Sequence, residues 1–389
     1  MKIVSACIYP LNIPFVESFS HALSDRNHSD SIVVELTTDS GVSGFGEAVP
    51  RPYVTGETRD GCVNHLRDAL LPHVIGARLD GISTNESLAA LNRLIPESPN
   101  EGAVVWNAAR GAVELALIDV FLRSVSQPLS TVLPPATPTV TYSAVISAGP
   151  LAKVEKMAQR CKLAGFQYVK QKVSGAHDVE SVKCVRDILG PAVSIRLDAN
   201  AAFTQEAAVQ FIESVSPYQI ACIEQPIPRG SIPDLATVRK ASAIPIMADE
   251  SIVTMHDAEA LIEAHAVDYF NLRLSKCGGL RQTLAIAQVA GTAGIGIQVG
   301  CQVGETAILS AAGRHLAATL PKVCFVEGSY STYLLEADIS DDAIVFGDRG
   351  EAPVLTGPGL GITVNKERLN KFSKKKVAIS HIAEEQPKG

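Results

Sequence analysis

Between about residue 138 and residue 329 the chain alternates short apolar runs with stretches of helical spacing, and the alternation is nearly regular. Strands are predicted to start at Thr139, Tyr168, Val193, Ile220, Pro245, Asp268, Gly296 and Val323. Most successive starts lie about 25 residues apart, the length of one strand, one helix and two short loops. Eight strands in series with seven helices between them favour a closed parallel barrel over an open doubly wound sheet. No Gly-x-Gly-x-x-Gly follows the first strand to support the open alternative.

Ahead of this region, residues 1 to about 60 read as an antiparallel meander. Ile3–Tyr9, Ser31–Thr37 and Gly44–Ala48 alternate like strands, with Asp39-Ser40-Gly41 as the turn between the last two. Two polar loops interrupt the meander: Glu17 to Asp30, which carries His21, Arg26 and His28, and Pro50 to Thr58, which carries Arg51 and Tyr53. Loops of this length in a compact domain tend to be functional lids or disordered. Residues 58 to 126 show helical spacing. After the eighth strand, Ser329 to Val364 has short strand-like pieces and Gly-Pro turns and is expected to pack back onto the first part. The tail from Lys371, with Lys374-Lys375-Lys376, is expected to be a solvated, frayed terminus. The fold class is therefore read as α/β: a TIM-like (β/α)7β barrel over residues 131–329, with an α+β capping domain formed by residues 1–130 and the C-terminal segment 330–389.

Composition narrows the function. Of 389 residues, 46% are hydrophobic, enough for a large core, and the net charge of −7 argues against a nucleic-acid partner, which needs a basic face. No early apolar run is long enough to span a bilayer, and Met1 to Phe15 lacks the regions of a signal peptide. The eight cysteines form no Cys-x-x-Cys pair and read as buried, reduced thiols of a cytoplasmic enzyme.

The candidate chemistry starts from Tyr168-Val169-Lys170-Gln171-Lys172-Val173. Alternation along a strand puts Lys170 and Lys172 on the same face, so that face is either solvated, as on a protected edge, or neutralised and used. The third strand ends in Asp198-Ala199-Asn200, the fourth in Glu224-Gln225-Pro226, and the fifth in Asp249-Glu250-Ser251. The acids follow the strand repeat, 224 − 198 = 26 and 249 − 224 = 25, so Asp198, Glu224 and Asp249 should converge at the C-terminal end of the barrel. Three buried acids need compensation: a divalent cation, or salt bridges to the lysines and Arg196. All-oxygen ligation suits Mg²⁺, with Mn²⁺ possible, rather than zinc. Lys276, before Gly278-Gly279 on the sixth strand, lies four strands from the lysine pair and hence on the opposite wall. Alternation from Arg273 would point it outward, so a bulge or the start of the loop must re-aim it. A carboxylate substrate between the walls would have an amine on each side of its α-carbon.

This ordered set, Lys170-Gln171-Lys172, Asp198-Ala199-Asn200, Glu224-Gln225-Pro226, Ala248-Asp249-Glu250-Ser251 and Lys276-Cys277-Gly278-Gly279, resembles the enolase superfamily over nearly the whole chain. Within it the likeness is to the muconate-lactonising (muconate cycloisomerase) subgroup, which includes dipeptide epimerases and N-acylamino acid racemases. The resemblance implies that Asp198, Glu224 and Asp249 bind Mg²⁺, that Lys172 and Lys276 are the acid/base pair, and that Lys170 tunes Lys172 and touches the substrate. It implies abstraction of a proton α to a carboxylate through an enediolate, by a racemase or epimerase of an N-substituted amino acid, dipeptide or related carboxylate. The alternative is a cycloisomerase or dehydratase/lyase using the same enediolate. Candidates for substrate contacts are Asn200, Glu250, Glu327 and Gln302, with Tyr53, His21 and Arg26 from the capping loops. Dipeptide epimerases carry an Asp-x-Asp after the eighth strand, whereas this chain has Glu327-Gly328-Ser329. The partner is thus a small-molecule carboxylate, with no nucleic acid or membrane, and the likeness suggests a symmetric homo-oligomer.

Overall fold

The computed structural model describes residues 1–21, 24–98, 102, 104–175 and 177–380. It opens with β1 (Ile3–Pro10), a hairpin of β2 (Ile13–His21) and β3 (Ser24–Ser29), then β4 (Ile32–Thr38) and β5 (Ser43–Ala48). β1, β4 and β5 pair antiparallel, as the meander predicts. The stretch from Glu17 to Asp30, expected as a loop, belongs mostly to the arms of the β2–β3 hairpin, in which Ile13 faces Ser29 and His21 faces Ser24. Polar side chains hide this pairing because main-chain hydrogen bonds, not an apolar face, make the ladder.

The sheet lies on one long helix, Asn107–Ser124, whose residues Asn107–Ala109 and Gly111–Leu122 are all buried. A helix apolar on nearly every side is a core helix rather than a surface one. β5 can press against it because it presents glycine: a Cβ on Gly46 would lie 1.9 Å from the Ala112 carbonyl oxygen.

Next come β6 (Thr139–Thr141) and eight parallel strands in sequence order: β7 (Ala144–Ile146), β8 (Tyr168–Lys172), β9 (Ser194–Asp198), β10 (Ile220–Glu224), β11 (Ile246–Ala248), β12 (Tyr269–Leu272), β13 (Gly296–Val299) and β14 (Val323–Val326). The Ser143 N–H donates to the Val326 carbonyl at 2.8 Å and joins the two end strands. Helices Leu151–Leu163, Asp178–Leu189, Gln205–Val215, Ile232–Ala241, Met255–Glu263, Leu280–Thr292 and Ala307–Thr319 fill the seven crossovers. From Tyr168 onward the predicted strand starts fall within one residue of the observed ones. The first is corrected: Thr139–Thr141 is a strand, but it pairs antiparallel with β15 (Glu351–Pro353), and the barrel begins at Ala144. A local pattern reveals a strand, not its partner some 210 residues away (351 − 141). In the tail, Lys374, Lys375 and Lys376 are exposed as expected and residues 381–389 lie outside the described residues, but the stretch between them is not frayed. β16 (Val377–Ser380) pairs antiparallel with β1 as the fourth strand of the first sheet, with Val377 and Ile379 packed on the core. All eight cysteines are free thiols, but only Cys62, Cys161, Cys222 and Cys277 are buried; Cys7, Cys184 and Cys301 are half-buried and Cys324 is exposed. Among the described residues no helix is long and apolar enough to cross a membrane.

Buried carboxylates clamp the N-terminal elements to the barrel. Glu47 on β5 accepts the N–H groups of Thr306 and Leu309 (2.9 and 3.1 Å), capping the helix Ala307–Thr319. Glu114 accepts those of Leu280 and Arg281 (2.5 and 3.2 Å), capping Leu280–Thr292. Burial pushes both carboxyls up to about 7, and the backbone donors pull against it.

Because Gly46 meets main chain rather than a movable side chain, Gly46→Ala is expected to destabilise the protein by about 1–3 kcal/mol. A lowered urea midpoint with unchanged slope is the expected result, and an unchanged midpoint would contradict the close approach.

Candidate active site

Strand register assembles the site. Lys172 on β8 is level with Asp198 on β9, and Asp198 with Glu224 on β10. Glu224 is level with Met247 on β11, so Asp249 follows two residues later, just past the strand. The three acids the sequence singles out are thus brought together, and all are buried.

Lys170 sits among them, with Nζ 2.8 Å from Asp198 Oδ2, 2.9 Å from Glu224 Oε2 and 3.1 Å from Glu327 Oε2. Burial works against its charge, but Asp198, Glu224 and Glu327 override it and hold the ammonium protonated well above the usual lysine range. Lys172 donates to Asp198 Oδ2 and Asn200 Oδ1, both at 2.6 Å. Burial would raise Asp198, yet Lys170 and Lys172 keep it far below the usual carboxylate range. Glu224 moves the other way, up, through burial and the charge of Asp198.

Lys276 is placed neither by a bulge nor by an open loop. It lies in a one-turn helix, Leu274–Cys277, that turns the buried side chain into the barrel. Its ammonium donates to the main-chain carbonyls of Asp249 (2.6 Å) and Asn271 (2.7 Å) and to Asp249 Oδ1 (2.8 Å). Arg273, the residue before this helix, bonds Asp249 Oδ2, lies 3.5 Å from Glu224 Oε1, and donates to Gln302 Oε1 at 3.2 Å. Glu250 is buried near Asn200 (Nδ2 to Oε1, 3.5 Å), and burial with the charge of Asp249 pushes its carboxyl up to about 8.

A second layer lies beneath. Arg196, level with Lys170, donates to Glu327 Oε1 at 2.6 Å and to Ser143 Oγ at 3.0 Å, and stacks on Phe325. Both oxygens of Glu327 are therefore taken by protein cations. Asn271 and Gln298 donate to Glu224 at 2.8 and 3.3 Å. Gln225 accepts the N–H groups of Asp249 and Ser251 (3.0 and 3.1 Å), which fixes the end of β11. Sequence reasoning assigns no site role to Arg273, Gln225, Asn271 or Gln298. The available signal is a polar residue at or beside the end of an otherwise apolar strand.

The capping-loop candidates are less uniform. Arg26 is taken by Asp30 (2.8 Å), which also binds buried Arg51 (2.9 Å), and Arg51 reaches the Val303 carbonyl (2.5 Å). This chain of contacts ties the foot of the hairpin to the loop after β13. Tyr53 is half-buried on its loop. The side chain of His21 lies outside the described residues.

The donor chemistry of Asp198, Glu224 and Asp249 fits a hard divalent cation, being all carboxylate and buried. In this structure protein cations balance them. Lys170 stands between Asp198 and Glu224, and Arg273 between Glu224 and Asp249. Among the described residues no three acid, histidine or cysteine groups are drawn close enough to hold a metal. The positive charge between each successive pair is what such an ion would replace.

Residues 5–133 match the N-terminal domain of the mandelate racemase / muconate lactonizing enzyme family, and residues 153–368 match the enolase C-terminal domain-like family. A hydrophobic dipeptide epimerase of Enterococcus faecalis is 32% identical over 82% of this chain and 87% of its own. The crystal structure of an N-succinyl Arg/Lys racemase from Bacillus cereus superposes with a TM-score of 0.87 at 25% identity, covering 97% of this chain and 100% of that one. A dipeptide epimerase from Cytophaga hutchinsonii, crystallised with Mg and the dipeptide D-Ala-L-Val, gives 0.85 at 28% identity, covering 98% and 100%.

Arg196→Leu leaves Glu327 buried with one of its two cations removed, which is expected to cost about 3–5 kcal/mol. Thermal unfolding reads this, and a melting temperature within a degree or so of wild type would show that the pair is not needed.

Proposed function

This chain belongs to the enolase superfamily, in its mandelate racemase / muconate lactonizing enzyme branch, and from that premise we propose that it is a racemase or epimerase acting at the α-carbon of an N-substituted amino acid or related carboxylate. The observation that carries this reading is the pair of lysines on opposite walls, Lys172 on β8 and Lys276 after β12, with the acids of β9, β10 and β11 between them.

Asp198, Glu224 and Asp249 would hold Mg²⁺, supported by their all-carboxylate donor set and by the Mg-containing relative. Bound there, the ion supplies Lewis-acid withdrawal of charge from a carboxylate. The remaining chemistry belongs to the lysines. Two of the three donors of Lys276 are fixed by main-chain carbonyls, and Asp249 Oδ1 fills the third position. That third position is where a neutral amine would take an α-proton, or where an ammonium would deliver one. Lys172 is held similarly by Asp198 and Asn200, leaving one direction for proton transfer. Lys170, kept protonated by three carboxylates, sets a fixed positive charge on the same strand as Lys172. In either direction one lysine removes the proton and the other returns one to the opposite face.

The end of β14 bears on the substrate. Each oxygen of Glu327 already carries a protein cation, Arg196 on one and Lys170 on the other, so its charge is neutralised before a substrate ammonium could use it. This supports an N-acylated amino acid over a dipeptide with a free amine.

Incubated with Mg²⁺ in deuterated water, both enantiomers of an N-succinyl amino acid are expected to gain deuterium at the α-carbon and to interconvert, as read by proton NMR and chiral chromatography. Dipeptides should react more slowly. A product of altered mass or connectivity would instead identify a lyase or cycloisomerase, and no exchange with any carboxylate would overturn the reading. Lys172→Ala and Lys276→Ala should each lower racemisation by about 10²–10⁴-fold. Asp198→Asn or Glu224→Gln should abolish Mg²⁺ binding in calorimetry while circular dichroism stays unchanged.

A further inference from the structure

The two lysines are supported by different parts of the fold. Lys172 stands on β8, between the ladders of β7 and β9, and its side chain is held by Asp198 and Asn200. Every one of these supports belongs to the barrel. Lys276 has no ladder. It occupies a helix of one turn, which has almost no stability of its own. That turn runs into Gly278 and Gly279, at φ of +84° and +99°, a backbone conformation that L side chains rarely adopt.

Its ammonium is held by Asp249 and Asn271 of the barrel, but the main chain of this turn is also tied to residues outside the barrel. The Asn107 side-chain amide, nearly wholly buried, donates to the Lys276 carbonyl at 2.8 Å and to the Val253 carbonyl at 3.0 Å. Glu114, two turns along the same helix, binds the N–H groups of Leu280 and Arg281, just past the glycine pair. Between them, a Cβ on Gly111 would come within 3.1 Å of the Gly279 nitrogen, so helix backbone and turn are nearly in contact. Residues 107, 111 and 114 share one helix face. A fourth tie is the Val49 N–H, which donates to Ser275 Oγ at 2.8 Å.

We propose that Asn107, backed by Gly111 and Glu114, is the positioning residue for Lys276, so that the capping helix controls proton transfer on one face of the substrate and not on the other. This rests on the racemase or epimerase reading above. Both donors of the Asn107 amide end on carbonyls, and one of those carbonyls belongs to the lysine itself. Removing the amide frees the turn that aims Nζ. Misplacement of a reacting group by about 1 Å can cost about 10²-fold in rate.

The test uses the full-length Mg²⁺-loaded enzyme, Asn107→Ala, and the separate D and L forms of an N-succinyl amino acid in deuterated water. Deuterium entry into the starting enantiomer needs only the lysine on its own face, whereas inversion needs both. Asn107→Ala is therefore expected to slow deuteration of one enantiomer by about 10–10²-fold while leaving the other within about twofold, and to slow inversion in both directions. Asn107→Ser, which keeps one donor, should fall between and serves if the alanine variant does not fold. In parallel, amide hydrogen exchange should rise over residues 274–281 and stay unchanged over 168–172. Equal slowing of both enantiomers, or unchanged protection of 274–281, would overturn the proposal. If the wild-type enzyme deuterates neither enantiomer, the racemase reading fails, and the amide exchange still decides whether Asn107 holds the turn.

Discussion

A carboxylate taken out of water must find compensating charge, and the mouth of this barrel holds Asp198, Glu224, Asp249, Glu250 and Glu327, all buried. Lys170, Lys172, Arg196, Arg273 and Lys276 answer them. The pairing is directional: Lys170 serves three acids at once, Arg273 spans two, and Arg196 is devoted to Glu327. Glu250 is pushed towards neutrality at ordinary pH by burial and the charge of Asp249, against the weaker pull of Arg273. The barrel places these charges by strand register. Lys172, Asp198 and Glu224 are level on three adjacent strands, so any slip between those strands would separate charges that cannot stand alone.

The same requirement governs how the capping elements attach. Glu47 and Glu114 are satisfied by helix N-termini, where unpaired N–H groups and the helix dipole favour negative charge. Each acid comes from the N-terminal part of the chain and each helix from the barrel. The joint is therefore specific in a way that apolar packing alone would not be, and it converges on the last third of the barrel, around the turn that carries Lys276.

Much of this is legible in the sequence because it is periodic. The strand repeat of about 25 residues locates seven barrel strands and aligns Asp198, Glu224 and Asp249. Alternation puts Lys170 and Lys172 on one face, and the structure has both facing the acids. What escapes is non-local. Thr139–Thr141 resembles a first barrel strand because a strand's partner is not written in its own residues. Val377–Ser380 resembles a frayed end because its lysine-rich approach outweighs two apolar positions that only β1 makes useful. The two readings of the acids, metal ligands or salt-bridge partners, describe the same groups. Salt bridges to Lys170, Lys172, Arg273 and Lys276 supply in this structure the compensating charge that either reading requires. Arg273 itself goes unflagged because alternation says where a side chain points, not what waits there.

The junction of the two end strands has a temporal consequence. Ser143 and Val326, joined by a main-chain hydrogen bond, are 183 residues apart (326 − 143). Contacts of such separation form late, because the intervening chain must be ordered first. Glu327 is the next residue after that junction, and Arg196 reaches both Glu327 and Ser143 across it. Until the final strand docks, Arg196 and Lys170 lack one of their acids, and the electrostatics around Lys172 are unfinished. A partly folded chain of this design would hold its lysines and acids without the balance of charge that Glu327 completes.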